Sequence, residues 1–402
     1  MEQNETDPVR DRSAAEEVPG SVSGATRGNR FDRMEWAGAF GDLGTLIPFV
    51  VAYLAVVKVD PCGVLFSFGA AMLACGLFYK TPFPVQPMKA IGAVAATQAA
   101  QTATITQSTL YAAGLATGLV WLLLGLTGAA RFIANRVPRP VVVGIVLGLG
   151  FGFMLEGIRM MSGGWVIAAV GLLGTLLLLT NRLIPAMFLL LAFGVVCGAV
   201  QHPTIWQAVQ SAKIGFRLPD FAPASITWHD VVIGTLFLAL PQLPLTLGNA
   251  VIAIREENNR LFPDRAVSEN TIAISTGIMN LGSGVFGGVP MCHGAGGMAG
   301  HVAFGARTGG APIILGVLLL VLALFFSGSV QFAFELVAHP VLGVILFLTG
   351  AQLALGSCDF SKNKGERFVT LTTAALAMWN VGLAFVVGLI LSQLEKRGWL
   401  RL

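Results

Sequence analysis

The stretch TPFPVQPMKAIGAVA, residues 81–95, decides the fold because it holds three prolines within six residues, at Pro82, Pro84 and Pro87. Proline lacks a backbone N–H and breaks a helix interior, but it is tolerated in the first turn. The pattern therefore predicts an extended segment followed by a short helix that starts near Pro87. A similar block, GGVPMCHGAGGMAG, occupies residues 287–300, half the chain away. We infer that the chain contains two copies of one unit.

The composition is that of a polytopic membrane protein. Of 402 residues, 55% are hydrophobic and 11% are charged, and the mean hydropathy is +0.75. Apolar runs long enough to cross ~30 Å of hydrocarbon recur along most of the sequence. The five cysteines are odd in number and scattered, unlike a disulfide framework or a zinc site. We expect a lipid bilayer as the environment, no nucleic-acid partner, and neither metal nor cofactor.

The apolar runs predict an all-α protein with 14 transmembrane spans, seven in each half. Residues 1–30 are polar and of mixed charge, which predicts a disordered cytoplasmic tail. The first repeat covers 31–200, a connecting loop covers 201–230, and the second repeat covers 231–402. The predicted spans are about 38–57, 63–79, 87–103, 109–128, 140–156, 163–180 and 183–200, then 231–252, 267–286, 290–304, 311–328, 334–356, 367–379 and 381–395.

The basic residues favour this topology, because cytoplasmic loops collect Lys and Arg. With the N-terminus inside, 20 of the 25 Lys and Arg residues fall in cytoplasmic segments, and only Lys89 falls inside a span. We expect both termini in the cytoplasm and the protein in the plasma or inner membrane. Because seven is odd, the second copy enters from the opposite side, so the repeats are inverted. In transporters built from inverted repeats, substrate sites lie near the midplane of the bilayer, where interrupted helices meet.

Two helices that start inside the membrane create an anion site. The first N–H groups of a helix have no intrahelical partner and carry partial positive charge, which an oxyanion satisfies. Gln86 adds an amide and Lys89 a charge, while glycines let a ligand approach the backbone. The alternative is that these glycines serve helix packing. The substrate-binding candidates are Gln86, Pro87, Met88, Lys89, Cys292, His293, Gly294, Ala295 and Gly296.

Further polar candidates lie in the first and eighth spans. Asp42 and Thr45 belong to the GDLGT motif. An intramembrane Asp is either an ion-coupling site or the partner of a cation, here Lys89. The alternative is that Asp42 caps the first helix near the cytoplasmic surface. In the eighth span, Gln242, Thr246 and Asn249 either line the site or form hydrogen bonds between helices.

Three blocks resemble the signature sequences of the molybdate transporters, a branch of the sulfate-permease superfamily. They are GDLGTLIPF (41–49), PVQPMKAIGAVA (84–95) and GGVPMCHGAGGMAGHVAFGARTGG (287–310). The resemblance covers residues 36–395. It implies a fold like that of the uracil permeases, with a core of spans 1–4 and 8–11 and a gate of spans 5–7 and 12–14. It also implies half-helices at spans 3 and 10, preceded by short strands, with the anion between their N-termini.

Sulfate permeases usually carry a STAS domain after the last span. This sequence ends at Leu402, a few residues beyond the last predicted span, which is typical of the molybdate branch. We therefore expect a secondary active transporter that imports molybdate by alternating access. A sulfate or tungstate transporter of the same fold is the alternative, because molybdate and sulfate are both tetrahedral dianions. The sequence leaves open whether a proton or another cation is co-transported and whether the protein forms a homodimer.

Other functions fit the sequence less well. A nucleobase permease, by the same resemblance, uses a carboxylate in the eighth span, where this chain has only Asp230 at the edge. A membrane enzyme is disfavoured because the motifs H-E-x-x-H and G-x-S-x-G are missing. A channel-like anion pathway would use the same site: transport that saturates and slows in the cold favours a carrier, whereas conductance favours a channel.

Overall fold

The computed structural model describes residues 28–89, 91–92, 105–178, 186–201, 214–330, 337–355 and 361–399, and these are mostly helical. In the first half the helices are α1 (Arg33–Ala39), α2 (Leu43–Ala52), α3 (Pro61–Tyr79), α4 (Gln107–Leu126), α5 (Ala129–Ala134), α6 (Arg139–Met161), α7 (Trp165–Leu178) and α8 (Ala186–Gln201). In the second half they are α9 (Trp228–Ile233), α10 (Leu240–Leu245), α11 (Ile254–Leu261), α12 (Glu269–Val285), α13 (Ala295–Ala303), α14 (Gly310–Phe326), α15 (His339–Leu355), α16 (Lys364–Trp379) and α17 (Val381–Lys396).

Local sequence explains many of the helix boundaries. The Asp32 side chain accepts hydrogen bonds from the N–H groups of Met34 and Glu35 at the start of α1. Thr106 before α4 and Thr227 before α9 each form a capping box with the residue three positions later. Such caps satisfy N–H groups that the helix itself leaves without partners. Helix α3 begins with a proline and ends at Lys80, whose φ is 55°.

The first and eighth predicted spans are continuous helical segments with irregular turns. A 3-10 turn, Phe40–Asp42, joins α1 to α2, and a π turn, Tyr53–Val57, follows α2. Two π segments, Gly234–Ala239 and Thr246–Ala253, flank α10. Both kinds of irregular turn are frequent at functional sites. They place Asp42 and Thr246 where the regular helix geometry is interrupted.

Three helices of the described residues are long and apolar enough to cross a membrane, namely Pro61–Tyr79, Gln107–Leu126 and Arg139–Met161. Shorter apolar helices are Trp165–Leu178, Ala186–Gln201, Trp228–Ala239, Gly310–Phe326 and His339–Ala351. The helices follow the predicted spans in order, but the number of membrane crossings stays a prediction. Residues 1–27, 93–104 and 202–213 lie outside the described residues, and with them most of the predicted tail, the third span beyond Gly92 and much of the connecting loop.

The starts of the two short helices differ from the sequence prediction. Pro87 does not open a helix, because Gln86–Pro87 form a strand, β1, and the helix begins at Lys89. In the second half Met291–Cys292 form β2, and α13 begins at Ala295 instead of near Pro290. The two strands are antiparallel partners, with Gln86 opposite Cys292 and Pro87 opposite Met291. Backbone hydrogen bonding between the halves therefore delays the first helix by two residues and the second by five.

Helices pack closely across the two halves at glycines. Helix α3 contacts α14, α4 contacts α12, and α6 contacts α15. A Cβ on Gly157 of α6 would lie 2.7 Å from the carbonyl oxygen of Gly343 in α15, and a Cβ on Gly343 would lie 2.7 Å from that of Gly157. Helices α3 and α4 are the predicted spans 2 and 4, and α12 and α14 are the predicted spans 9 and 11. If spans 2 and 4 correspond to spans 9 and 11, the α3–α14 contact maps onto the α12–α4 contact. This reciprocity is what inverted repeats predict.

Candidate functional site

The strand pair brings the starts of the two short helices together. The Met88 N–H donates to the Pro290 carbonyl oxygen at 2.9 Å, which continues the pairing of β1 with β2. The helical turn that begins at Lys89 and helix α13 therefore both start next to the strand pair. Each N-terminus carries partial positive charge and N–H groups that the helix leaves unpaired. The arrangement suits an anion between them.

Asp42 reaches this pair from the 3-10 turn of the first span. Its side chain is fully buried, and Gln86 is 1% exposed. The Gln86 amide Nε2 donates to Asp42 Oδ1 at 2.5 Å and to Thr45 Oγ1 at 2.6 Å, and the Thr45 hydroxyl also contacts Asp42 Oδ1. Asp42 makes no side-chain cap hydrogen bond to α2, so the structure does not use it as the helix cap considered above. It anchors Gln86 instead.

Several polar atoms in this region are buried and have no hydrogen-bond partner among the described residues. They include Asp42 Oδ2, Gln86 Oε1 and Lys89 Nζ. A buried polar group without a partner is costly, typically about 1–3 kcal/mol and more for a charged group. No hydrogen bond joins Lys89 to Asp42 among the described residues, so their pairing as cation and carboxylate stays a prediction. Its Nζ lies 3.9 Å from the centroid of the Phe153 ring of α6.

The glycines of α13 make room for these side chains. A Cβ on Gly294 would overlap Gln86 Oε1, and a Cβ on Gly297 would lie 2.8 Å from Gln86 Nε2 and 2.9 Å from Asp42 Oδ2. A Cβ on Gly296 would overlap the Phe153 ring. Gly300, one turn further, lies against the Gly41 backbone. The glycines nearest the helix start therefore border the polar site, and Gly300 serves helix packing.

Gln242 of α10 contacts the first short helix. Its Oε1 accepts from the Ile91 N–H at 3.3 Å, and its Nε2 donates to Thr246 Oγ1 at 3.0 Å. Gln242 thus satisfies an N–H group in the first turn of that helix. Asn249 is buried in the same segment, and its Oδ1 has no hydrogen-bond partner among the described residues. The structure joins Gln242 and Thr246 to the site, whereas no described contact joins Asn249 to it.

The His293 side chain is fully engaged by the protein. Nδ1 lies 2.9 Å from the Pro84 carbonyl oxygen, and Nε2 lies 2.7 Å from Ser275 Oγ, which in turn lies 2.6 Å from the Tyr79 hydroxyl. Since a carbonyl only accepts, Nδ1 carries a hydrogen, and in the neutral ring Nε2 accepts from Ser275. Neither ring nitrogen is left to donate to a ligand. Cys292 is buried, and its backbone belongs to β2.

Two contacts of the site were not predicted from the sequence. Phe153 lies on α6, the predicted span 5, which the family resemblance assigns to the gate. Its ring contacts both Lys89 and Gly296. Tyr53 is buried, and a Cβ on Gly92 would lie 3.2 Å from its hydroxyl oxygen. An aromatic residue in an apolar span resembles any core residue, so no sequence pattern singled out either position.

Comparison with known proteins adds independent findings. A sequence model described as "Molybdate transporter of MFS superfamily" matches residues 34–153 and 234–353, one stretch in each half. The chain is 34% identical to molybdate transporter 2 of Arabidopsis thaliana over 90% of this chain and 87% of that protein. It is 30% identical to molybdate transporter 1 of the same plant over 87% of this chain and 85% of that protein.

Solved structures with the same fold are anion transporters. Murine Slc26a9, described as an anion transporter in the inward-facing state, matches with a TM-score of 0.61 and 13% identity, covering 92% of this chain and 69% of that one. The transmembrane domain of the cyanobacterial bicarbonate transporter BicA matches with a TM-score of 0.56 and 16% identity, covering 90% of this chain and 97% of that one. In another SLC26A9 structure, with a TM-score of 0.56 and 11% identity, the match covers 90% of this chain and 64% of that one. At these identities the matches show the fold alone.

Proposed function

Since this chain belongs to the molybdate transporter family, we propose that it is an integral membrane carrier that imports molybdate, bound between the N-termini of its two short helices. The observation that carries the proposal is the β1–β2 pair, which places two helix starts from different halves beside one buried polar cluster. The relatives are transporters by name, and the proposal takes their substrate for this chain.

Each part of the cluster has a separate task in this proposal. Lys89 supplies a full positive charge to the dianion, and the N–H groups at the start of α13 supply partial charge and hydrogen bonds. The orientation of the Gln86 amide is fixed by Asp42 and Thr45. Gly294 and Gly296 make room for the Gln86 amide and the Phe153 ring beside the start of α13. His293 acts through its backbone, because its ring is bound to Ser275 and Pro84.

Asp42 is the proposed coupling residue. Ionised, its Oδ2 would repel a dianion bound nearby, whereas a protonated Asp42 would donate a hydrogen bond to it. Proton and anion would therefore enter the site together, so that the proton gradient drives uptake. Movement of spans 1–4 and 8–11 against spans 5–7 and 12–14 would then expose the site to each side in turn.

The test is uptake of labelled molybdate, at nanomolar concentration, into proteoliposomes that contain the purified protein. We expect saturable uptake that persists in an approximately thousandfold excess of sulfate and that an inward proton gradient stimulates. D42N should keep the contact with Gln86 but lose the stimulation, while E156Q, at an exposed side chain, should retain it. Uptake abolished by sulfate would instead identify a general oxyanion transporter, and a conductance would identify a channel.

A further inference from the structure

Phe153 occupies a fixed point where two long helices cross. Helices α6 and α15 approach closely because a Cβ on Gly150 would lie 2.8 Å from the Gly350 carbonyl oxygen. At the same crossing, a Cβ on Gly350 would lie 2.8 Å from Phe153 Cβ. Helix α15 therefore passes directly beside the backbone of Phe153. A side chain that starts at such a crossing has few positions available, so its ring is well placed to position a neighbour.

The Phe153 ring contacts both short helices at their first turns. The Lys89 ammonium lies over the ring face, 3.9 Å from its centroid. The ring also occupies the space that a side chain on Gly296, the second residue of α13, would need. Phe153 thus brings a third element, α6, into contact with a helix start from each half.

The contact matters because Lys89 has a long, flexible side chain. Its Nζ is buried and makes no hydrogen bond within the described residues. The negative face of an aromatic ring attracts a cation, most strongly where water is excluded. A Lys stem of four methylenes otherwise samples many rotamers, and ordering it on binding would weaken affinity. The ring already restricts the Lys89 side chain in the free protein, so less conformational entropy is lost when the anion binds.

We propose that Phe153 is a positioning residue of the anion site: its ring holds the Lys89 ammonium between the two helix starts, so that a tetrahedral oxyanion meets a charge already in place. This inference rests on the proposed function, because it assigns Lys89 to the anion. The ring lies on one side of the ammonium and leaves the remaining N–H groups to the anion. Preorganisation of this kind raises affinity without any contact between ring and ligand.

The experiment measures KM and maximal rate for molybdate uptake in F153L, F153Y and F151L. Leucine keeps an apolar side chain but removes the ring, so F153L should raise KM about tenfold with little change in maximal rate. Tenfold corresponds to ~1.4 kcal/mol, within the range of a cation–π contact shielded from water. F153Y keeps the ring face and should raise KM clearly less than F153L does. Phe151 is on the same helix and 40% exposed, so F151L serves as the matched control.

Two results would overturn the inference. One is an unchanged KM in F153L, and the other is an equal rise of KM in F153Y, which would mean that the ring face is not what matters. Protein level and thermal midpoint of each variant in detergent separate misfolding from a change in KM. K89Q tests the proposed function separately: undiminished uptake in K89Q rejects the anion site itself. Loss of uptake in K89Q together with an unchanged KM in F153L rejects only the role of Phe153.

Discussion

Gly294 shows how much of the site depends on a missing side chain. It precedes α13, and its backbone lies so close to the Gln86 amide that even a methyl group would overlap Oε1. Gln86 cannot retreat easily, because its Nε2 is held by Asp42 and Thr45. Four residues from three separate segments therefore determine one another's positions.

We expect Gly294→Ala to reduce molybdate uptake at least tenfold while the protein still folds, because the added methyl group displaces the Gln86 amide from the site. The measurement is initial uptake rate normalised to protein in the membrane. Gly282→Ala is the matched control, since a Cβ there meets nothing within 4 Å and alanine favours a helix. Equal uptake rates for the Gly294 variant and the unmodified protein would show that transport does not depend on the position of the Gln86 amide.

For individual residues, the sequence predicted which side chains lie near one another but not which of them are in contact. The polar residues around Gln86 and Lys89 were identified because charged and amide groups are rare inside membrane spans. The hydrogen bond between Asp42 and Gln86 was not predicted, and neither was the contact of Lys89 with Phe153. Likewise His293 is bound to Ser275 of α12. These pairings depend on side-chain directions that a linear pattern does not contain.

Two helices of the fold begin at a buried carboxylate from a different span. Glu35 of α1 accepts hydrogen bonds from the N–H groups of Thr308 at 2.9 Å and Ala311 at 3.1 Å, at the start of α14. Asp230 of α9 accepts from the hydroxyl of Thr109 at 3.1 Å, at the start of α4. The two contacts occupy corresponding places in the two halves, as inverted copies would require.

Glu35→Gln should lower the stability of the protein by about 1–3 kcal/mol, because Gln accepts through one oxygen only and its NH2 group would face a backbone N–H at the start of α14. Asp230→Asn should cost less, about 0.5–1.5 kcal/mol, since the hydroxyl groups of Thr106 and Thr109 can rotate and accept from the new amide. Thermal unfolding in detergent measures both, and E156Q, which breaks an exposed pair, should shift the midpoint little. A larger loss in Asp230→Asn than in Glu35→Gln would contradict this ranking.

The helices themselves were predictable because their apolar runs are long, but the starts of the short ones were not. Proline in a first turn predicts a helix at Pro87, yet that residue lies in β1. The strand forms only because a second strand from the other half pairs with it. A local rule was therefore overridden by a contact between distant parts of the chain.

For the whole molecule, the proposed alternating access moves α6 relative to the eighth span. A Cβ on Gly248 would lie 3.2 Å from Ile145 Cδ1 of α6, so side chains at these two positions would touch and the pair is suited to a cysteine cross-linking test. We expect oxidation of the double variant I145C/G248C to stop uptake and a reductant to restore it. The single variants I145C and G248C, treated in the same way, are the controls. Undiminished uptake with the disulfide formed would mean that these two helices stay together during transport.

The pairing of Gln86 with Cys292 also constrains how the protein is made. The partners are separated by about half of the chain, so the ribosome must synthesise the chain past Cys292 before β1 finds β2. Until then Lys89 and Asp42 enter the membrane without the helix that completes their surroundings. Early intermediates in biogenesis therefore hold an unsatisfied charge in the bilayer, and insertion of the first half alone is the step at which the translocon or a chaperone has most to contribute.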